Sequence, residues 1–194
     1  MTNVLILGAS GSIARVAIDL FLKETDAQLT LYLRNSRRLK KLESSRVRIL
    51  EGDVLDIETL KEAMVGQDVV YANLAGQLER MAKNVVEAMK ATGIKRLIWI
   101  SSMGIYDEVP GERYSSILNP YRDSAAIIES SELDYTIIRP GWFTSKDEID
   151  YELTHKGESF KGHDVSRKSV ADLVVKLTVT PGMEVRSSLG ISKP

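Results

Sequence analysis

The run Gly8-Ala9-Ser10-Gly11-Ser12-Ile13-Ala14-Arg15 carries the clearest chemical signal in the sequence. It follows the apolar run Val4-Leu5-Ile6-Leu7 and opens a stretch with helical apolar spacing at Ile13, Val16, Ala17 and Leu20. A strand, a glycine turn and a helix in that order suit a diphosphate. Gly8 permits the tight turn, Gly11 lets the backbone approach the ligand, and Ala14 is small enough for the helix to pack on a sheet. The N–H groups of the helix start, aided by its dipole, face the anion. Gly8, Ser10, Gly11, Ser12 and Ile13 are therefore the residues expected around a dinucleotide diphosphate.

A second chemical position follows the next apolar run, Leu29 to Leu33. An acidic residue there would hydrogen-bond the ribose hydroxyls of NAD(H). The sequence instead reads Arg34-Asn35-Ser36-Arg37-Arg38. Arg34 offers paired N–H donors to a 2′-phosphate, and Ser36 and Arg37 add more. NADP(H) is expected in preference to NAD(H). The competing reading of Arg37 and Arg38 is a solvated helix face.

Other constellations are weaker. Ser102 with His155 or His163 and an Asp has the makings of a triad, but no nucleophile-elbow sequence surrounds the serine. Asp147, Glu148, Asp150 and Glu152 alternate with Ile149, Tyr151 and Leu153, which reads as a strand with a solvated acidic face and not as a metal site. His155 and His163 sit in polar stretches and are expected at the surface. Trp142 and Phe143 either stack on a planar substrate or close the core.

The elements that must position these residues alternate along the chain. Apolar runs predict strands over Val4 to Leu7, Leu29 to Leu33, Val47 to Leu50, Val69 to Ala72, Leu97 to Ile100 and Tyr135 to Ile138. Helical patterns cover Ile13 to Leu22, Ser36 to Glu43, Asp56 to Met64, Gln77 to Thr92, Asn119 to Ser131 and Val170 to Val179. Asp56 and Ser166 are N-caps, Gly93 is a stop, and Pro120 lies in a first turn. Strands apolar on both faces, alternating with helices, imply a doubly wound parallel sheet in a three-layer α/β/α domain spanning residues 1–194. Residues 103–118 and 142–165 are expected as irregular loops walling a crevice at the strand ends.

Composition narrows the class. The 194 residues hold 26 Lys+Arg, 27 Asp+Glu, two His and no Cys, with 43% hydrophobic residues. Balanced charge argues against a nucleic-acid partner. Without Cys, disulfides, thiolate metal sites and cysteine nucleophiles are excluded. The first residues, MTNVLILGASG, lack a basic n-region, and no apolar run approaches the roughly 20 residues of a membrane span. A cytoplasmic monomer or homodimer with no membrane partner is expected.

The sequence resembles the atypical short-chain dehydrogenase/reductase superfamily, in its NmrA-like NAD(P)H-binding branch. The resemblance rests on GASGSIAR at 8–15, GDVLD at 52–56, YANLAG at 71–76, ISSMGIY at 100–106, LDYTIIRPGW at 133–142 and VSRKSVADLV at 165–174. It implies a Rossmann fold. It also implies that Asp53 and Val54 flank the adenine and that Asn73, Leu74 and Ala75 line the cofactor. Ser101 and Ser102 would lie beside the nicotinamide, with Pro140, Gly141 and Trp142 over it. Ser102 takes the place of the family's active-site Ser or Thr.

One departure limits the chemistry that the resemblance implies. Members of the wider superfamily carry Tyr-x-x-x-Lys on the helix before the TIIRP-like strand. Here Tyr121 is present and Ala125 holds the Lys place; counting back from Thr136 instead puts Tyr121 in the Lys slot and Ile117 in the Tyr slot. Either register breaks the pair. Planar acceptors such as flavins, quinones or tetrapyrroles need less help from a positioned acid, since solvent can protonate them. Ser102, Tyr106 and Tyr121 are the candidate catalytic donors, with Tyr114 as a further hydroxyl, and Arg122 or Arg139 as neighbours that tune them. The expectation is an NADP(H)-dependent oxidoreductase acting on a small planar acceptor. The alternative is a non-catalytic NADP(H)-binding redox sensor, and a remoter one an epimerase or dehydratase.

Overall fold

The computed structural model describes all 194 residues. The elements run β1 (Asn3–Leu7), α1 (Ser12–Glu24), β2 (Gln28–Leu33), β3 (Val47–Glu51), α2 (Ile57–Met64), β4 (Val69–Ala72), α3 (Leu78–Thr92) and β5 (Arg96–Ile100). They continue with α4 (Asn119–Glu129), β6 (Asp134–Pro140), β7 (Trp142–Thr144), β8 (Glu152–His155), β9 (Asp164–Ser166), α5 (Arg167–Val179) and β10 (Ser187–Ser192). The main sheet has the order β3-β2-β1-β4-β5-β6-β10-β8, parallel throughout except for β8 against β10. β7 and β9 form a separate parallel pair.

Side chains alternate across a strand, so a strand buried on both faces is apolar at every position. In β1, Val4 and Ile6 face the layer of α1 and α5, while Leu5 and Leu7 face α2, α3 and α4. All four are fully buried. Burying a side chain of this size stabilises the fold by roughly 1.5–3 kcal/mol. The helix ends follow local chemistry. Asp56 Oδ1 accepts from the N–H groups of Glu58 and Thr59, Ser166 Oγ accepts from Ser169 N, and Gly93 ends α3 in the left-handed region at φ 78°.

The structure departs from the sequence expectations in three places. Residues 36–43 do not form a helix but two short 3-10 turns, Ser36–Arg38 and Lys40–Leu42, with Leu39 buried between them. The alternating stretch from Asp147 yields a strand only at Glu152–His155, and Trp142 to Val165 holds three short strands instead of one irregular loop. The strand β10 has no counterpart in the expected set. It lies between β6 and β8 and extends the sheet past the expected last strand.

Because the chain enters β2 on one side of β1 and reaches β4 on the other, the strand order reverses between β1 and β4. Ligand crevices in open α/β sheets form at such a point, beyond the carboxyl ends of the strands. The segments leaving β1, β4, β5 and β6 all emerge at this edge. No helix is long and apolar enough to cross a membrane.

Candidate functional site

The glycine loop is fitted against the end of β4. Gly8 has φ +72°, and a Cβ there would lie 2.1 Å from the Asn73 carbonyl oxygen. At Gly11 a Cβ would lie 2.2 Å from Asn73 Nδ2. Gly11 thus packs closely against the Asn73 side chain. Asn73 N donates to Leu7 O (3.0 Å), and Gly8 N donates to Tyr32 O (3.1 Å), so the loop is tied to both neighbouring strands. Ala14 is fully buried, as its packing role requires. Arg15 Nε donates to Ser10 O (3.1 Å). Gly11 caps α1 without a side-chain bond, and the first turn holds no acidic residue, leaving the helix's positive end without a counter-charge.

At the end of β2, Arg34, Arg37 and Arg38 are exposed. Ser36 is not a free donor as expected: its N–H (2.9 Å) and hydroxyl (2.6 Å) both go to Glu51 Oε2 at the end of β3. These two bonds from Ser36, helped by Arg37, hold the Glu51 carboxyl below the usual carboxylate range. The sequence reading missed Glu51, whose signal is the register of β2 and β3 and not any local motif. Asp53 is held in a local turn, its Oδ1 accepting from Leu55 N (2.9 Å) and its carbonyl from Tyr32 Oη (3.2 Å). Val54 is buried, with its carbonyl bonded to Asn84 Nδ2 (2.9 Å). Leu74 is half-buried and Ala75 exposed.

A cavity of about 450 Å³ opens where β5 and β6 end. Ser101, Ser102 and Met103 line it from β5, and Pro140, Gly141, Trp142 and Phe143 from β6. Tyr114, Ile117, Leu118 and Tyr121 line the opposite side. The two aromatics do not close the core: Trp142 is 61% exposed and Phe143 41%. Ser101 Oγ is buried without a partner, and Ser102 Oγ donates to Met103 O (3.0 Å). Tyr114 Oη donates to Asn119 Oδ1 (2.8 Å), with the Arg122 guanidinium 5.1 Å from its ring centre. Tyr121 reaches the cavity; Ala125, one turn further along α4, is fully buried.

Tyr106 belongs elsewhere. It is absent from the cavity wall, donates to Glu129 Oε1 (2.8 Å) and lies 3.1 Å from Ser188 Oγ on β10. Burial, first, and the adjacent Glu129 carboxylate push its pKa up, well beyond the usual phenol value. The cause of its placement is Arg139, fully buried on β6 and ion-paired with Glu108. A buried guanidinium needs such partners. Arg139 Nε also donates to Ser188 Oγ (3.0 Å). The Glu108 carboxylate accepts from Gly104 N (3.0 Å) and Tyr106 N (2.9 Å), pinning the turn that follows Ser102.

His155 and His163 are exposed. The acidic run pairs with lysines: Asp147 with Lys168, Glu148 and Asp150 with Lys193, and Glu152 with Lys161.

A glycine turn into a helix at the reversal point of a parallel sheet defines a Rossmann-fold nucleotide-binding protein. Residues 8–181 match the NAD(P)H-binding family, and the chain belongs to it. It is similar to a Rossmann-fold NAD(P)-binding family protein from Shigella flexneri, at 45% identity and TM-score 0.90, over 100% of this chain and 94% of that one. A short-chain dehydrogenase/reductase from Veillonella parvula, solved in complex with NADP, is 27% identical with TM-score 0.90, covering 100% of this chain and 95% of that one. An uncharacterized sugar epimerase, YhfK of Bacillus subtilis, is 28% identical over 159 residues, 72% of this chain and 71% of that one. These similarities agree with the atypical short-chain dehydrogenase/reductase branch.

Proposed function

We propose that the protein is an NADP(H)-dependent reductase of a small planar acceptor, working without a Tyr-x-x-x-Lys pair. The observation that carries this reading is the cavity at the ends of β5 and β6, lined by Ser102 and by exposed Trp142 and Phe143. A pocket of this volume suits a small organic ligand, and aromatic faces favour a flat one.

The chain's residues fit a dinucleotide. Gly8 and Gly11 hold the turn tightly against Asn73, and the uncapped start of α1 that follows offers N–H donors to a diphosphate. Arg34 and Arg37 take the 2′-phosphate without Ser36, whose donors Glu51 holds. Asp53 and Val54 border the adenine, and Asn73, Leu74 and Ala75 the ribose side. Ser101, whose hydroxyl has no partner, lies with Pro140, Gly141 and Trp142 at the nicotinamide end.

The bound cofactor supplies a hydride; the protein orients the acceptor, excludes water and handles one proton. Trp142 and Phe143 stack on the acceptor and shield it. The Ser102 hydroxyl, now bonded only to a neighbouring carbonyl, is free to turn and donate to the acceptor atom that gains charge. The Tyr121 hydroxyl lies on the same cavity and can pass a proton from solvent. With Ala125 buried in the Lys place, no ammonium assists it. That absence favours acceptors whose reduced forms solvent can protonate.

The test is loss of reduced-nicotinamide absorbance with NADPH and a panel of flavins, quinones and carbonyl compounds. Acceptor-dependent oxidation is expected, lost in Ser102→Ala with cofactor binding retained. Tight NADPH binding with no turnover on any acceptor would support a redox sensor instead. If Arg34→Asp leaves NADPH binding unchanged, the assignment of the 2′-phosphate is wrong.

A further inference from the structure

α5 begins at Arg167, immediately after β9, and Ser166 fixes that start by capping. β9 pairs with β7, setting Thr144 opposite Ser166, so the first residue of α5 stands beside the aromatic wall of the cavity. α1 and α5 share one face of the sheet. The result is that Arg167 spans the gap between the glycine loop and that wall. Its Nε donates to Ser12 Oγ (3.2 Å), its Nη1 donates to Ser145 Oγ (3.1 Å), and its guanidinium lies 5.4 Å from the centre of the Phe143 ring.

No carboxylate balances this charge. The neighbouring Lys168 is held by Asp147, Lys176 by Asp172 and Lys193 by Glu148. Arg167 has only two neutral hydroxyls and a ring, and three of its five N–H donors are unused. The residue it touches, Ser12, is the first of α1, whose opening turn carries no acid and no side-chain cap. A guanidinium without a carboxylate partner and an unbalanced helix start therefore converge on one place, and both attract an anion.

We propose that Arg167 is a ligand of the cofactor's diphosphate, reaching it from beside the start of α1. This rests on the reading of the site as a dinucleotide site. The diphosphate is common to NADPH and NADH, so Arg167 contributes to affinity without selecting between them, whereas Arg34 selects. The same side chain holds Phe143 and Ser145, so it links the occupied cofactor site to the cavity wall.

The experiment is equilibrium binding of NADPH, NADH and adenosine 2′-monophosphate, which has no diphosphate, to wild type, Arg167→Ala, Arg167→Lys and Arg34→Asp. Arg167→Ala should weaken NADPH and NADH by the same factor, about ten- to a hundredfold, as for loss of a charge-assisted hydrogen bond. It should leave adenosine 2′-monophosphate binding unchanged. Arg167→Lys should recover part of the loss, since it keeps the charge without the fork. Arg34→Asp should weaken NADPH and adenosine 2′-monophosphate and spare NADH. Wild-type NADPH affinity in Arg167→Ala would overturn the proposal, as would an equal loss for adenosine 2′-monophosphate. A wild-type protein that binds neither dinucleotide would overturn the site reading and this proposal together. An unchanged urea midpoint for Arg167→Ala confirms that the variant is folded.

Discussion

Replacing Gly11 with Ala isolates the contact on which the cofactor loop is built. The new Cβ would lie 2.2 Å from Asn73 Nδ2, with Gly8 O at 3.3 Å and Asn73 Cγ at 3.4 Å. The first contact is impossible, so the amide must retreat by more than about 1 Å. Gly11 has φ −65° and ψ 155°, which alanine adopts freely, so backbone strain adds nothing. The weaker cap and the smaller unfolded-state entropy of alanine roughly offset each other. What remains is displacement of the Asn73 amide, the end of a flexible side chain, so the cost falls at the low end of overpacking, about 1 kcal/mol, or roughly 2–4 °C in Tm for a chain of this size. Asn73→Ala removes the clashing atom, so the double variant should regain about 1 kcal/mol against the sum of the singles. Gly8→Ala is the control. Its Cβ would lie 2.1 Å from the Asn73 carbonyl oxygen, at φ +72°. Backbone cannot be trimmed, so Asn73→Ala should not rescue it. The assay is urea unfolding of the cofactor-free protein. Additive Gly11→Ala and Asn73→Ala effects, or rescue of Gly8→Ala, would refute the packing account of this loop.

Glu51→Gln removes a negative charge beside the expected 2′-phosphate position and should raise NADPH affinity relative to NADH by about two- to fivefold, the range of an exposed charge pair, measured by fluorescence titration. Because Glu51 titrates below its ordinary 4.5, the tie to Ser36 is complete above about pH 4.5 and is lost as pH falls through the lowered value; amide exchange at Ser36, corrected for its intrinsic pH dependence, should lose protection only in that acid range. Glu108→Ala leaves Arg139 as a buried unpaired charge and should destabilise the fold by about 3–5 kcal/mol, read from the denaturant midpoint. Tyr106→Phe should leave turnover unchanged, since that hydroxyl faces Glu129, whereas Tyr121→Phe should slow it.

The parts of the fold readable in the sequence are those whose burial is two-sided. β1, β4 and β5 are apolar at nearly every position, and β2 and β6 over most of their length, because both faces are covered, and the helix caps at Asp56, Gly93 and Ser166 are local chemistry. β10, Ser-Ser-Leu-Gly-Ile-Ser, looks like a loop because its polar residues answer distant groups. Ser188 receives Arg139, and Gly190 leaves room for Thr154 and Phe160. The 36–43 segment has a helix-like pattern but is a pair of tight turns, with Leu39 buried and Ser36 bonded to Glu51. Tyr106 was misplaced for a similar reason. The informative signal is the arginine within the strand Asp134–Pro140, which, once buried, requires the acid Glu108 and ties down the 104–108 turn. Arg167 lies within the VSRKSVADLV run, but nothing local in it points to an anion; its neighbours Ser12, Phe143 and Ser145 come from two distant parts of the chain.

Reduction of a planar acceptor at the expense of NADPH is read as the fall in reduced-nicotinamide absorbance with a flavin acceptor, wild type beside Ser102→Ala. The account predicts oxidation that requires both the acceptor and the protein, proceeds faster with NADPH than with NADH, and is lost in the variant while NADPH binding persists. Equal rates for the two proteins would remove Ser102 from the chemistry. Firm NADPH binding with no oxidation by a flavin, a quinone or a carbonyl compound would contradict the account.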